Sequence, residues 1–244
     1  MDRRVSRLKQ INDDIAQFSK IISHDLQEPI RKIAVFSDRI AWQLKNSIQD
    51  KQITEFEKIH AECMRLRNLA TNLEQYISLS TMDHDFEEVD LNTIVNYAYT
   101  AIFDSNEVNY IKLEAEPLPV ITGHRKQLEM FFANIFKNYI HYKRPQETLK
   151  IKIEGIIIQH NSFRSIKGKY RYVDFVRIVV TGNGAGVDIK KEKIFEIARI
   201  LQFKSQDFGL ALCKKIIENH YGTISAESAP GIGMTFTALL PVRQ

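Results

Sequence analysis

Residues 18–30 read Phe-Ser-Lys-Ile-Ile-Ser-His-Asp-Leu-Gln-Glu-Pro-Ile, and apolar residues at steps of three and four predict that they belong to a long amphipathic helix. His24 lies off the apolar stripe of this helix, and Asp25 follows it directly. A neutral imidazole can accept a phosphoryl group on one ring nitrogen while a neighbouring acceptor fixes the proton on the other. The stretch therefore predicts a nucleophilic histidine that Asp25 orients.

The apolar stripe around His24 runs from Leu8 to Ile40, and a second stripe runs from Phe56 to Ile77. The residues between the stripes, Asn46 to Gln52, are mostly polar and predict a short connection, so we expect an antiparallel helical hairpin. Two helices alone bury little surface. The simplest closure is a dimeric four-helix bundle, in which a second copy covers the stripe. Pro29 removes one backbone donor and is expected to bend the first helix.

An acidic segment without apolar periodicity, Met82 to Asp90, separates the hairpin from the remainder of the chain. We predict a hairpin domain at 1–82, a linker at 83–90 and a second domain at 91–244. Helices and strands mix in the second domain, which predicts an α+β fold overall, with a helical hairpin followed by an α/β sandwich. The helices are expected at Leu91–Phe103, Gln127–Tyr142 and Phe208–His220; the strands at Leu149–Ile158, Tyr172–Val180, Thr223–Ala226 and Met234–Leu240; and a polar loop at Gln159–Lys169.

Composition narrows the classes of partner. The net charge of +4 is spread along the 244 residues, so nucleic acid is not an expected partner. No apolar run reaches the roughly 18 to 20 residues of a membrane span, and the polar N-terminus lacks the core of a secretion signal, so we expect a cytoplasmic chain with no membrane segment. Cys63 and Cys213 have no metal-ligand spacing and are expected as buried thiols.

With these residues placed, nearly the whole chain resembles the transmitter module of sensor histidine kinases, a phosphoacceptor hairpin followed by an ATP-binding domain of the GHKL type. The motif from Ser23 to Pro29 matches the phosphoacceptor box of that family closely. The resemblance implies that His24 is phosphorylated and that Asp25 assists as orienter and base.

The resemblance extends to the asparagine box, here Asn134-Ile135-Phe136-Lys137-Asn138. It implies that Asn138 is a magnesium ligand and that Asn134 lies near the nucleotide phosphates, since Mg²⁺ prefers oxygen ligands. His141 stands where the family often carries a lysine that contacts phosphate. Gly184 and Gly186 match the glycines of the turn that follows in the ATP site.

Other residues of the ATP site depart from the family. The pattern Asp-x-Gly-x-Gly reads Gly182-Asn183-Gly184-Ala185-Gly186, so the carboxylate that would accept the adenine amino group is missing. An unpaired donor in a pocket costs about 1 to 3 kcal/mol, roughly tenfold to a hundredfold or more in affinity. Further departures are Ala198 in the phenylalanine box, and Ser205 and Asp207 in the glycine-rich lid. Together they predict weak or lost ATP binding.

The favoured interpretation is a two-component signalling protein that works as a dimeric histidine phosphotransfer protein. His24 exchanges a phosphoryl group with the aspartate of a response-regulator receiver domain, and an upstream histidine kinase is a further possible partner. Neither ATP nor Mg²⁺ held by this chain is required. Two alternatives remain open: an active ATP-dependent autokinase with an atypical nucleotide pocket, and a non-catalytic dimeric scaffold that binds receivers.

Overall fold

The structure is a computed structural model, and it describes residues 30–40, 42, 50–81, 85–103, 111–162, 171–187, 194–195 and 208–243. The chain divides into two compact units, Met1–Met82 and Asp83–Gln244. Within the described residues, no helix combines the length and the apolar composition needed to cross a membrane.

The described part of the first unit is helical, with helix α1 at residues 30–40 and helix α2 at Asp50–Thr81. Ile30 and Ala34 form a small buried cluster with Cys63, and Nδ1 of His60 lies 3.1 Å from Oδ1 of Asp38. The predicted second helix lies inside α2 and is confirmed. Its predicted start was too late, because residues 50–52 belong to the helix rather than to the connection.

The second unit contains three described helices and seven described strands. The helices are α3 at Leu91–Ile102, α4 at Arg125–His141 and α5 at Phe208–Asn219. The strands are β1 at Glu87–Asp90, β2 at Ile111–Ala115, β3 at Val120–Gly123, β4 at Leu149–Ser162, β5 at Arg171–Gly182, β6 at Thr223–Ala229 and β7 at Gly233–Pro241.

A five-stranded sheet in the order β2-β4-β5-β7-β6 forms the frame of the second unit. β2 runs parallel to β4, and the other neighbours are antiparallel. Leu149, Ile151 and Ile153 of β4 are buried, whereas the alternating Lys150 and Lys152 are exposed, so one face of this strand is covered and the other is open. The α+β fold is therefore confirmed for this unit.

Helix α4 supplies the centre of the core. Phe131, Phe132 and Phe136 are at most 1% exposed, and the rings of the first two meet edge to face at 5.1 Å. Their helical spacing places them on one side of α4, while Lys137 on the same helix is exposed. Core packing therefore fixes the rotation of α4, and with it the positions of the two asparagines.

Two predictions about connections are wrong. Residues 87–90, expected in a linker, form β1, which pairs antiparallel with β3. β1 has only four residues and one buried side chain, Val89, so its sequence carries no periodic signal. The polar loop expected at Gln159–Lys169 begins later, because β4 continues to Ser162 and pairs there with Arg171 of β5.

Candidate functional site

The predicted phosphoacceptor residues His24 and Asp25 lie outside the described residues, as do Ala198, Ser205 and Asp207. The structure describes the candidate nucleotide site of the second unit, around the C-terminal half of α4 and the end of β5. Among the described residues, no group of three or more histidine, cysteine or carboxylate side chains is arranged to hold a metal ion.

The two asparagines of α4 are in different environments. Asn138 is 9% exposed, and its Oδ1 is buried without a hydrogen-bond partner in the described part of the chain. Asn134 donates from Nδ2 to the carbonyl of Met130 at 2.9 Å, and a Cβ added to Gly209 would lie 2.8 Å from Asn134 Oδ1. A free buried amide oxygen has the donor chemistry of a Mg²⁺ ligand, so Asn138 fits the predicted role while Asn134 packs against the start of α5.

The glycine turn after β5 is held by backbone hydrogen bonds. Ala185 N–H donates to the carbonyl of Tyr142, and Gly231 N–H donates to the carbonyl of Ala185, both at 2.7 Å. A Cβ at Gly184 would lie 2.6 Å from the Tyr142 carbonyl oxygen. Gly186 has a φ of +67°, and a Cβ there would overlap the backbone of the β6–β7 turn. Packing alone therefore requires the glycines that the sequence predicted for nucleotide binding.

Asn183, directly before Gly184, forms hydrogen bonds with the backbone around the start of β4. Its Oδ1 accepts from Lys150 N–H at 2.8 Å, and its Nδ2 donates to the carbonyl of Thr148 at 3.0 Å. Both ends of the amide are used by the protein. Asn183 therefore fixes the turn to the start of β4.

Gly182, which stands where the family carries its adenine-binding carboxylate, is covered by the ring of Tyr139. A Cβ on Gly182 would lie 2.5 Å from Cδ1 of Tyr139 and closer still to Cε1. Tyr139 is 2% exposed, and its hydroxyl lies 2.7 Å from the carbonyl oxygen of Val180 and 3.1 Å from that of Met234. Burial raises the pKa of the Tyr139 phenol, so the hydroxyl remains a donor. The space for a side chain at position 182 is thus already filled.

The sequence alone does not single out Tyr139 as a site residue. An aromatic residue on the apolar side of a helix is expected in any core, and nothing local marks it as part of a site. The signal that could have identified it is a combination of two positions. The bulky Tyr139 directly follows Asn138, and position 182 carries a glycine where the family has a carboxylate.

Two histidines lie near the ends of α4. His141 is exposed and meets the ring of Tyr142 edge-on at 4.8 Å. His220 is fully buried, with Nδ1 2.7 Å from the carbonyl of Ile216 and Nε2 3.0 Å from the backbone N of His124. Both ring nitrogens of His220 are thus engaged by backbone groups, which gives this histidine a structural role.

Comparison with known proteins places this fold. Residues 123–244 match the model of the histidine kinase-, DNA gyrase B- and HSP90-like ATPase family. The phytochrome-like protein Cph1 of Synechocystis is 28% identical over 242 residues, covering 96% of this chain and 30% of Cph1. The sensor-like histidine kinase SenX3 of Mycobacterium tuberculosis is 26% identical over 233 residues, covering 90% of this chain and 52% of SenX3.

Solved structures agree on the fold. Full-length ShkA in complex with AMPPNP has a TM-score of 0.60 at 16% identity, covering 92% of this chain and 45% of ShkA. The histidine kinase AdeS of Acinetobacter baumannii has a TM-score of 0.57 at 18% identity, covering 90% of this chain and 98% of that one. The chain spans about 30% of the length of its phytochrome-like relatives. The chain belongs to the histidine kinase-, DNA gyrase B- and HSP90-like ATPase family, as the transmitter module of a sensor histidine kinase.

Proposed function

We propose that this chain is a dimeric histidine phosphotransfer protein of two-component signalling, with weak or lost ATP binding. The observation that carries the proposal is the packing of Tyr139 against Gly182, which leaves no space for a carboxylate at the base end of the nucleotide site. His24, in an intact phosphoacceptor motif, remains the group that transfers phosphate.

The proposed reaction needs only positioning by this chain. One ring nitrogen of neutral His24 attacks the phosphorus of a receiver acyl phosphate, the bond from phosphorus to the aspartate oxygen breaks, and the aspartate leaves as a carboxylate. Asp25 holds the proton on the other ring nitrogen and stabilises the charged ring. The reverse step passes the phosphoryl group to a second receiver, and Mg²⁺ comes with the receiver.

The ATP site fits its ligand only in part. Asn138 offers an unpartnered amide oxygen for Mg²⁺, which when bound would neutralise phosphate charge. No carboxylate can reach the base from position 182 while Tyr139 keeps its place. We therefore propose that the second unit serves as a docking or structural element.

The dimer is supported by apolar surface on the first unit. The contacts of Ile30, Ala34 and Asp38 with α2 support an antiparallel hairpin. Large apolar residues of the two predicted stripes are nevertheless 36% to 56% exposed in the single chain, namely Ile33, Phe36, Ile40, Ile59, Leu66 and Leu73. A second copy that covers these residues would complete a four-helix bundle.

An active autokinase is the second candidate, favoured by the free oxygen of Asn138 and by the shared fold with ShkA, whose structure contains AMPPNP. A non-catalytic scaffold is the third. Calorimetric titration with Mg-ATP separates the second from the others, because only an autokinase requires tight magnesium-dependent binding.

A receiver assay tests the favoured function. A phosphorylated receiver is mixed with the chain or with its His24→Gln variant, and the phosphate left on the receiver is measured over time. We expect loss of receiver phosphate and appearance of phosphohistidine with the natural chain only. Equal behaviour of the two proteins would support the scaffold and contradict phosphotransfer.

A further inference from the structure

Tyr139 is fixed in the corner between α4 and the end of β5. Its ring meets Phe236 of β7 edge-on at 5.8 Å, and only 2% of the residue is exposed. The first atom of any side chain at position 182 would collide with the ring. The ring therefore occupies the volume into which a base-binding carboxylate would project.

The hydroxyl secures the other end of the ring. It carries a single proton, which it donates to Val180 at 2.7 Å, while the Met234 carbonyl lies at 3.1 Å. Both carbonyls belong to the paired strands β5 and β7. Rotating the ring out of this position would break the hydrogen bond to the buried Val180 carbonyl and leave an apolar cavity. Both changes would cost unfolding free energy, so the ring stays in place.

Tyr139 does not block the other described parts of the candidate site, which are the glycine turn and Asn138. The Gly184–Gly186 turn is held by its backbone hydrogen bonds to Tyr142 and the β6–β7 turn. Asn138 keeps a free amide oxygen one residue before the blocking tyrosine. Within the described residues, Tyr139 is the side chain that a carboxylate at position 182 would meet.

We infer that Tyr139 is the specificity-determining residue of this site: its ring excludes the carboxylate that would bind adenine from position 182, and the paired replacement Tyr139→Ala with Gly182→Asp opens an adenine-nucleotide site. The inference rests on the proposed weak nucleotide binding of the natural chain. It goes further, because it explains why the hydrogen-bond acceptor cannot be restored at position 182 alone: Tyr139 already occupies the volume of that side chain.

Simple loss of the acceptor and steric exclusion of the acceptor by Tyr139 predict different nucleotide affinities for the single and paired variants. If only the acceptor were missing, Gly182→Asp alone would restore binding. Steric exclusion predicts that Gly182→Asp alone fails and lowers the melting temperature, because the carboxylate competes with the buried ring. It also predicts that Tyr139→Phe with Gly182→Asp fails, since this matched control removes the hydroxyl and retains the ring.

The test is calorimetric titration of Mg-AMPPNP, with a guanine analogue as the specificity control, into the full natural chain and the three variants. Circular dichroism and thermal melting verify folding. One regained hydrogen bond in a pocket predicts binding roughly tenfold to a hundredfold tighter for the Tyr139→Ala, Gly182→Asp pair than for the natural chain, with adenine preferred. Tyr139→Val with Gly182→Asp retains part of the apolar volume, has no atom at the level of Cδ1, and provides the same comparison if the alanine pair melts below the assay temperature.

Three results would overturn the inference. One is a folded pair that binds no better than the natural chain, which leaves the proposed function standing. Another is restoration by Gly182→Asp alone, or equally by the phenylalanine control. The last is tight binding by the natural chain itself, which would also remove the basis of the proposed function.

Discussion

At the scale of single residues, Gly182 has two consequences, one visible in the sequence and one visible only in the structure. The sequence indicates the loss of one hydrogen-bond acceptor, worth about 1 to 3 kcal/mol in a pocket. In the structure, the ring of Tyr139 fills the space next to Gly182, and its hydroxyl donates a hydrogen bond to the carbonyl of Val180. Deleting a buried aromatic side chain costs about 3 to 5 kcal/mol of unfolding free energy. This cost exceeds the binding free energy that one hydrogen-bond acceptor could contribute, so the protein is more stable with Tyr139 packed against Gly182.

Asp90 offers a test of local electrostatics at a single residue. It caps α3 by accepting from Asn92 N–H at 2.9 Å and from the Thr93 hydroxyl at 3.0 Å. The Asn92 side chain, followed by the Asn92 backbone N–H, lowers the pKa of the Asp90 carboxyl. A lowered pKa in the folded state stabilises it above the unfolded pKa of about 3.9, and this stabilisation is lost as the pH falls through the lowered value.

Replacement of Asp90 by alanine is expected to cost about 1 kcal/mol of unfolding free energy at pH 7. Below pH about 4 the difference from the natural chain should shrink. Urea denaturation at pH 7 and pH 3 measures both values. Asp90→Asn is the matched control, because it keeps an acceptor but cannot titrate, and its difference from the alanine variant should stay nearly constant. A natural-to-alanine difference equal at the two pH values would contradict the assigned role.

At the scale of elements, His220 links the end of α5 to the start of α4. With the proton on Nδ1, the ring donates to Ile216 at 2.7 Å and accepts from the backbone N–H of His124 at 3.0 Å. Phe86 packs on the ring at a centroid distance of 5.2 Å. Both nitrogens of the neutral imidazole are therefore used, which explains how a fully buried histidine is tolerated.

His220→Phe is expected to lower the unfolding free energy by about 1 to 3 kcal/mol, because the His124 N–H loses its acceptor. His124→Ala is the matched control. It retains the backbone N–H that makes the bond, so its loss of unfolding free energy should be clearly the smaller of the two. Chemical denaturation of both variants measures the contrast, and similar losses in the two would show that the bond is not what stabilises this contact.

At the scale of the whole molecule, exposed apolar residues on the first unit predict self-association. Leu66 is 51% exposed in the single chain although it lies on a predicted stripe. Leu66→Glu is expected to shift the protein from dimer to monomer, since a charge would be buried in the bundle. Asn68→Glu adds the same charge at an exposed polar position and should leave the dimer intact. Light scattering after gel filtration decides, and a monomeric natural chain would contradict the bundle.

Sequence periodicity predicted the parts of the molecule that are long and repetitive. Helix α4 and strands β4 and β5 repeat their patterns often enough to be recognised. Strands β1 and β3 have four residues each, too few for a period. Pro117 and Pro119 lie between β2 and β3, and prolines indicate turns more strongly than they indicate strands.

The candidate site was predictable where a motif is local. Asn138 and the glycines at 184 and 186 follow from short patterns, and the structure brings them to the same end of α4 and β5. Tyr139 was not predictable in this way, because its meaning depends on contact with Gly182, a residue distant in sequence. Tertiary contacts of this kind carry no periodic signal.

The most direct test of the central claim compares two phosphoryl donors. The natural chain and its His24→Gln variant are incubated separately with radiolabelled Mg-ATP and with a radiolabelled, phosphorylated receiver, and the acid-labile, base-stable label on the chain is counted. Phosphotransfer without ATP predicts label on the natural chain from the receiver only, and none on the variant. Label on His24 from ATP alone would contradict the account.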